Sequence, residues 1–299
     1  MKKIRCGILA GSSSLVAEIR DFVRIVSRLS GPLLLMGERG GGKERVARLI
    51  HASSAAGSRS FEVIDCSLFF ADEFEHSLFE PGSLNRPGGG ACYLANCEEL
   101  SPRLQERLAE HLEASELVCR AARGRQEAGV RVMFSSARRL ASLVTAGLFS
   151  RRLYDLLSDS TLLLPPLRRR IRDLGCLVDH QVSKFATGKE TVVFSPESYG
   201  ALVTYPWPGN YQQLEDELRK LLRAADAKIE LDNLPASIAS FWTGGAERPD
   251  VRRVHEQLTE SMEEYKILAL LDAEFGNLLL TSGEWGDGSV KPGPTGPVR

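Results

Sequence analysis

A glycine-rich stretch followed by a lysine contains the residue types in this 299-residue sequence that are best suited to chemistry. The spacing Gly37-x-x-x-x-Gly42-Lys43 is typical of a phosphate-binding loop. In such a loop the glycines let backbone N–H groups point at the phosphates, and the lysine reaches the outer phosphate oxygens. The helix that follows adds the partial positive charge of its N-terminus. We therefore predict that ATP or ADP binds at eight consecutive residues: Gly37, Glu38, Arg39, Gly40, Gly41, Gly42, Lys43 and Glu44.

Glu44 departs from the general form of this loop, because a serine or threonine hydroxyl usually meets magnesium at that position. A Mg²⁺ ion that accompanies the nucleotide is therefore expected to be weakly held. The five histidines are isolated in sequence, and Cys92 and Cys97 have no further ligand nearby. We assign no residue as catalytic and none as a metal ligand.

The elements that must position this loop lie on either side of it. Leu33–Met36 is an apolar run typical of a buried strand, and residues 44–51 favour a helix. Further short apolar runs alternate with helical stretches, at 61–66, 91–94, 130–136 and 161–164. Because this alternation is typical of βα units, we predict an α/β core in which helices cover both faces of a parallel sheet.

The pattern changes after residue 167, where only helices are indicated. We divide the chain into a nucleotide-binding core at 1–168, a small all-helical domain at 169–240 and a tail at 241–299. One helix is expected in the tail, at 254–275. The last 17 residues contain five glycines and three prolines and are expected to be disordered.

Composition argues against several classes of protein. The formal net charge is −1 and the sequence pI is near 6.6, so no global basic field favours wrapping nucleic acid. No apolar run is long enough to span a bilayer, and the run at 6–10 is too short for a secretory signal. Six scattered cysteines are typical of reduced thiols. We expect a soluble, cytoplasmic protein.

Six stretches carry a resemblance to a known family: MGERGGGKERVARLIH (36–51), FEVIDCS (61–67), SLFE (77–80), GGACYLANCEELSPRLQERL (89–108), LPPLRRRIRDLGCLVDH (164–180) and YPWPGNYQQLEDEL (205–218). In this order they resemble the AAA+ ATPase domain of the sigma-54-dependent transcription activators, the bacterial enhancer-binding proteins. The resemblance covers most of residues 10–240. Glu44 fits it, since the family's loop GESGTGKE has a glutamate after the lysine. It implies a P-loop AAA+ core followed by a helical lid domain, in which the tetrad WPGN (207–210) begins a helix.

The same resemblance shows which acids this chain lacks. The family strand GGTLFLDE ends in an aspartate that holds magnesium and a glutamate that polarises the attacking water. The matching residues are Ala95 and Asn96, and neither side chain acts as a base. Glu98 and Glu99 offer carboxylates nearby, but a shift along the chain displaces the group, and positioning is most of this catalysis.

Further family groups are replaced as well. The replacements are Ser150 and Leu156 for two arginine fingers in FREDLYYRL, Ala137 for the sensor asparagine and Gln212 for the lid arginine. Arg151 and Arg152 stand beside the finger positions and are expected in a solvated charged turn. A general base contributes about 10²–10⁴-fold to a rate, and an arginine finger about 10³–10⁵-fold. Hydrolysis as a working function is therefore not expected.

Two partner-binding parts of the family are also missing from the sequence. The family contacts its sigma factor through a loop carrying GAFTGA, whereas only PGSLNRPG (81–88) occupies that interval here, so sigma-54 contact is not expected to carry over. The helix near 258–277 resembles the first helix of a Fis-type DNA-binding domain, but no helix-turn-helix follows it. Direct DNA binding is not expected. The four arginines within 168–172 match a charged stretch that joins core and lid, and they predict a solvated hinge.

Three hypotheses follow for the function. In the leading one, the chain is a degenerate AAA+ protein in the regulation of transcription that binds ATP or ADP and hydrolyses it slowly or not at all. It would assemble with itself or with an intact AAA+ relative. In the second, Glu98, Glu99, Arg151 or Arg152 act as displaced catalytic groups of an active ATPase. In the third, the chain is a protein-interaction scaffold that binds no nucleotide.

Overall fold

The computed structural model of the protein describes residues 7–68, 78–79, 84, 88–121, 129–185, 193–224 and 228–244. Most of the segment 81–88, the predicted helix at 254–275 and the C-terminal segment lie outside these residues. The predictions about the sigma-contact loop, the helix-turn-helix and the disordered tail therefore stay predictions.

A five-stranded parallel sheet forms the centre of the core. Its strands are β1 (Leu33–Met36), β2 (Phe61–Asp65), β3 (Gly90–Ala95), β4 (Val130–Ser136) and β5 (Thr161–Leu163), in the spatial order β2-β3-β4-β1-β5. The neighbouring strands are all parallel. Because ligands of open parallel sheets bind outside the carboxyl ends of the strands, the ends of β1, β3 and β4 share one functional edge. The predicted parallel sheet is confirmed.

Helices cover both faces of this sheet. They are α1 (Ser14–Val26), α2 (Lys43–Ala52), α3 (Pro102–Ala121), α4 (Leu140–Thr145) and α5 (Arg151–Ser158). Side chains alternate along β1: Leu33 and Leu35 pack on the face covered by α1 and α2, while Leu34 packs on the face covered by α3 and α5. All three leucines are fully buried. This two-sided burial explains why the strand is apolar at every position.

The lid is mainly helical, as predicted, and it carries one short addition. Its helices are α6 (Leu174–Phe185), α7 (Pro196–Thr204), α8 (Asn210–Ala224) and α9 (Ala236–Gly244). Two short strands, β6 (Val193–Phe194) and β7 (Lys228–Ile229), pair in parallel beside them. Residues of α6 and α8 share a continuous apolar cluster with β1 and α2, so the core and the lid pack against each other.

Within the described part of the chain, no helix has the length and apolar character needed to cross a membrane. Cys66, Cys92, Cys97 and Cys176 are buried, and none of these four forms a disulfide bond.

Candidate functional site

The phosphate loop between β1 and α2 has a backbone that requires glycine. Gly40 and Gly42 have positive φ angles of 69° and 81°, which side chains with a Cβ rarely adopt. A Cβ atom on Gly42 would lie 1.6 Å from Cδ1 of Ile8, so even alanine would collide with the N-terminal segment. The loop therefore has the open backbone that phosphate binding demands, and it passes directly beneath residues near the start of the chain.

Lys43 is the first residue of α2, and its ammonium group is folded back into the loop. Its Nζ donates hydrogen bonds to the carbonyl oxygens of Gly37 at 2.7 Å and Glu38 at 2.9 Å. The side chain is 9% exposed, and burial lowers the pKa of Lys43, while the negative charge of Glu98 acts in the opposite direction. A buried ammonium, a glycine loop and a helix N-terminus fit the phosphates of a nucleotide.

The acids near the loop fit a magnesium ion poorly. Glu44 accepts a hydrogen bond from Arg48 at 2.8 Å on the same helix. Among the described residues, no group of three or more His, Cys, Asp and Glu side chains could hold a metal.

Glu38, on one side of the phosphate loop, binds one residue at the junction of core and lid and one residue of the lid. Arg168 donates two hydrogen bonds to its carboxylate, at 2.6 and 2.8 Å, and the Asn210 amide donates a third at 3.1 Å. These bonds from Arg168 and Asn210 lower the pKa of Glu38 to about 2. Asn210 also donates to the carbonyl of Arg39 at 2.9 Å, and it accepts a bond from the Leu167 N–H at 2.9 Å.

A second lid contact touches the loop at Gly40. The backbone N–H of Gln212 donates to the Gly40 carbonyl at 3.0 Å, and a Cβ on Gly40 would lie 2.2 Å from the carbonyl oxygen of Gly209. The Gln212 side chain turns away and donates to Asp216 at 3.1 Å. We call residues 38–40 together with Arg168, Asn210 and Gln212 the lid-facing edge of the loop.

β3 ends at Ala95 and Asn96 follows it, and neither residue has a carboxylate. Asn96 has a φ angle of 55°, and its amide donates to the Asp65 carboxylate at 2.8 Å. Asp65 also accepts two bonds from Ser67, at 2.7 and 3.0 Å. Burial alone would raise the pKa of Asp65, but these hydrogen bonds outweigh it and hold the pKa below its ordinary value. Sequence reasoning did not single out Asp65.

Glu98 lies closer to the loop than the sequence suggested. The left-handed Asn96 turns the chain into a short 3₁₀ helix, Cys97–Glu99, which carries Glu98 back towards the end of β4. One carboxylate oxygen, Oε1, accepts the Ala137 N–H at 2.9 Å. The other, Oε2, is shielded from solvent and has no hydrogen-bond partner among the described residues. We call residues 95–99 together with Ala137 the strand-end edge of the site.

The positions expected for arginine fingers carry no free cation. Ser150 caps α5, where its hydroxyl accepts the Leu153 N–H at 3.3 Å, and Leu156 packs against the sheet. Arg151 pairs with Asp155 on the same helix at 2.9 Å. Arg152 pairs with Glu113 of α3 at 2.6 Å, and this bond raises the pKa of Arg152. Both arginines are exposed, as predicted, but they begin a helix and do not form a turn.

Arg170 corrects the prediction of a solvated hinge at 168–172. Its guanidinium is 6% exposed and donates to the carbonyl oxygens of Ile8 at 2.8 Å and Ala10 at 3.2 Å. It also pairs at 3.3 Å with Asp173, which is fully buried and accepts bonds from the Ser13 N–H and hydroxyl. The pair of Arg170 and Asp173 therefore fixes the N-terminal segment against the lid.

The N-terminal segment brings further groups to the site that sequence reasoning missed. A Cβ on Gly7 would lie 2.3 Å from the His180 ring and 3.1 Å from the Tyr211 hydroxyl. Together with Ile8 beside Gly42, these lid side chains form a wall next to the start of α2. No spacing in the sequence links residues so far apart, so no local signal could have found them.

Residues 10–167, more than half of the chain, match the family model of the Sigma-54 interaction domain, and residues 168–248 match that of the AAA+ ATPase lid domain. The transcriptional regulatory protein ZraR of Klebsiella oxytoca is 30% identical over an alignment of 285 residues, and the match covers 90% of this chain and 64% of ZraR. The nitrogen fixation protein VnfA of Azotobacter vinelandii is 30% identical over an alignment of 257 residues, and the match covers 81% of this chain and 49% of VnfA. The chain thus spans less than two thirds of these relatives.

Crystal structures of NtrX from Brucella abortus share the fold. The complex with ADP has a TM-score of 0.67 at 23% identity and covers 89% of this chain and 66% of NtrX. The complex with ATP has a TM-score of 0.68 at the same identity and covers 89% of this chain and 65% of NtrX. On the family matches, this chain belongs to the Sigma-54 interaction domain family, with an AAA+ lid domain behind the core.

Proposed function

We propose that this chain is a nucleotide-binding AAA+ regulator of transcription that holds ATP or ADP through residues 37–44 without hydrolysing it at a useful rate. One observation carries the proposal. Lys43 is buried and folded back into a glycine loop, whereas β3 ends at Ala95 and is followed by Asn96, with no acid at either position. The division into core 1–168, lid 169–240 and tail 241–299 is part of this proposal.

Relatives support the binding part of the proposal. NtrX from Brucella abortus has been solved with ADP and with ATP, and this chain shares its fold. A bound nucleotide would bring negatively charged phosphates to the N–H groups of the loop and to Lys43. Because the lid already contacts the loop at Glu38 and Gly40, a ligand on that loop would also bias the position of the lid.

The turnover part rests on the groups that replace the family's catalytic residues. The Asn96 amide donates its hydrogen bond to Asp65, and the Gln212 amide donates to Asp216. Loss of a positioned base alone removes about 10²–10⁴-fold of a rate. The effects of several lost groups need not multiply, since residues that act as a unit are not additive. Loss of one positioned catalytic group is therefore enough to make ATP hydrolysis slow.

Glu98 favours a second candidate function, an ATPase with a relocated acid. Its Oε2 has no hydrogen-bond partner among the described residues, and its Oε1 is held at the strand-end edge by the Ala137 N–H. A carboxylate in that place could accept a proton from water. Phosphate release separates this candidate from the first.

We extend the proposal to partners and place. The chain would act by self-association or by joining an intact AAA+ relative, without the family's sigma-54 loop and without direct DNA binding. Magnesium would be held mainly by the phosphates. A cytoplasmic location agrees with the absence of a membrane-spanning helix among the described residues.

Thermal unfolding with and without millimolar Mg-ATP or Mg-ADP tests the proposal, with phosphate release recorded in the same samples. Saturation at 100 times Kd adds about 2.7 kcal/mol, and each kcal/mol raises Tm by about 2–4 °C in a domain of 150–250 residues. We expect a Tm increase of several degrees, lost in Lys43→Ala and kept in Lys220→Ala, whose side chain is 71% exposed.

The outcomes separate the three hypotheses. Stabilisation that depends on Lys43, without phosphate release, supports the proposal. Release above the Lys43→Ala level supports the relocated-acid ATPase. Folded protein that neither nucleotide stabilises would leave the interaction scaffold.

A further inference from the structure

We propose that Glu98 makes the nucleotide site select a nucleoside diphosphate over a triphosphate. The inference rests on the proposed nucleotide binding and names the form of ligand that the site retains. It follows from where the Glu98 carboxylate lies, from its oxygen that has no hydrogen-bond partner among the described residues, and from the exposure of the cations near the strand-end edge.

A short chain of hydrogen bonds places Glu98 beside the phosphate loop. Its Oε1 accepts the Ala137 N–H at 2.9 Å. The residue before Ala137 is Ser136, whose carbonyl accepts the N–H of Gly37 at 3.2 Å. Gly37 in turn accepts a hydrogen bond from Lys43 at 2.7 Å. The Glu98 carboxylate is therefore one residue away from the strand that supports the loop.

The direction of a bound phosphate chain brings its end to this carboxylate. The loop N–H groups hold the inner phosphates, and the lysine reaches the outer ones. A third phosphate lies beyond the second, beside Lys43 and towards the adjacent strand ends, because ligands of such sheets lie outside the carboxyl edge. Glu98 occupies that edge, and its charge already acts on the titration of Lys43.

The charge balance at this edge is unfavourable to a third phosphate. The Glu98 Oε2 is shielded from solvent, so its repulsion is weakly screened. Arg39 of the loop and Arg138 and Arg139, which follow Ala137, are the cations nearest in sequence, but their side chains are exposed and their fields are screened by water and salt. Arg151 and Arg152 are paired with acids of their own chain. A diphosphate ends before Glu98 and avoids the repulsion.

Calorimetric titration of the full chain with ADP and with the non-hydrolysable analogue AMP-PNP tests this selection, without metal and with Mg²⁺. At an effective dielectric of 20, two unit charges several ångströms apart change a binding constant by about tenfold or more. We expect the wild type to bind ADP about tenfold more tightly than AMP-PNP. Glu98→Gln should narrow that ratio by about the same factor, chiefly by tightening AMP-PNP.

Two controls accompany the titration. Glu99→Gln removes the same charge from an exposed neighbour and should leave the ratio unchanged. Glu98→Gln keeps an oxygen that can accept the Ala137 N–H, so folding should be preserved, and a thermal midpoint checks this. Phosphate release from ATP is measured on the same proteins.

Each result decides the inference. A wild type that binds AMP-PNP as tightly as ADP, or a ratio that Glu98→Gln leaves unchanged, would overturn it. Phosphate release that Glu98→Gln abolishes would also overturn it and would make Glu98 a base. If folded wild type binds neither nucleotide, the proposed function fails as well, whereas ADP binding without selection would sink the present inference alone.

Discussion

The lid-facing edge and the strand-end edge of the phosphate loop differ in the side chains that they carry. At the lid-facing edge, Asn210 reaches the loop, Arg168 pairs with Glu38, and the N–H of Gln212 binds Gly40. At the strand-end edge, the residues where catalytic acids were expected are Ala95 and Asn96. One edge contacts the loop through hydrogen bonds, and the other has no acid at residues 95 and 96.

The difference shows how binding and turnover depend on separate parts of one site. The loop's shape comes from glycine backbone, from a buried lysine and from a lid that contacts the backbone, so it tolerates change in other side chains. Turnover needs particular charged atoms in particular places, and removal of one such group is enough to stop it. A chain can therefore keep the first property while the second disappears.

The largest expected effect concerns the contact between the N-terminal segment and the lid. Arg170→Met would leave Asp173 as a buried charge without its arginine partner, and the carbonyls of Ile8 and Ala10 without a donor. Breaking a buried ion pair in this way costs about 3–5 kcal/mol. We expect a loss of that size in urea unfolding.

Arg172→Met is the matched control, because Arg172 is exposed in the same run of arginines. Its unfolding free energy should stay within about 0.5 kcal/mol of the wild type. Similar losses in the two variants would contradict the role given to Arg170.

A smaller effect is expected from a substitution at the strand-end edge, and phosphate release by that variant would contradict the comparison. Asn96→Glu restores an acid to the strand-end edge, but it places a non-glycine carboxylate at a φ angle of 55° beside Asp65. The left-handed backbone costs about 1–2 kcal/mol, and the lost hydrogen bond adds about 1 kcal/mol. We expect the variant to be less stable by about 2–3 kcal/mol, with phosphate release no higher than in Lys43→Ala.

Asn96→Gly keeps the left-handed backbone and loses only the bond to Asp65, so it should be destabilised by about 1 kcal/mol. A stable Asn96→Glu variant that released phosphate would show that the strand-end edge had merely lost an acid and had not been rebuilt around Asn96.

The smallest expected effect concerns the exposed ion pair of the lid-facing edge. Glu38→Gln should lower stability at pH 7 by less than about 1 kcal/mol, because solvent screens a pair whose side chains are 42% and 48% exposed. The pKa of Glu38 is lowered from 4.5 to about 2, so its stabilisation is present above pH 4.5. It is lost as the pH falls towards 2.

Thermal midpoints of the wild type and Glu38→Gln between pH 2 and pH 7 measure this window. The difference in thermal midpoint between the two proteins should be constant above pH 5 and should shrink as the pH falls below 5. A difference that persists at the acid end would mean that the ion pair with Arg168 is not its source.

Parts of the fold with local signals were predicted closely from the sequence. The strands Leu33–Met36 and Val130–Ser136 have the bounds that the apolar pattern indicated. The pairing of β6 with β7 was not foreseen, because two residues carry too little pattern to identify a strand.

The parts of the site that escaped prediction depend on contacts between distant residues. Arg170 was expected in solvent because its neighbours in sequence are charged, whereas its partners Ile8 and Ala10 lie about 160 residues earlier. Glu98 reaches Ala137 only because β3 lies beside β4 and because Asn96 adopts a left-handed turn. Neither strand order nor register can be read from the spacing of residues along one chain.

The clasp between Arg170 and the carbonyl of Ile8 has a consequence during synthesis on the ribosome. Its two halves are separated by 162 residues, and those of the Ser13–Asp173 bond by 160. At about 5–20 residues per second, translation of that interval takes about 10–30 s. Throughout this time the nascent chain has its phosphate loop and its N-terminal segment but lacks the residues that bond to that segment. The contact between the N-terminal segment and the lid therefore forms late, only after Arg170 and Asp173 have been translated.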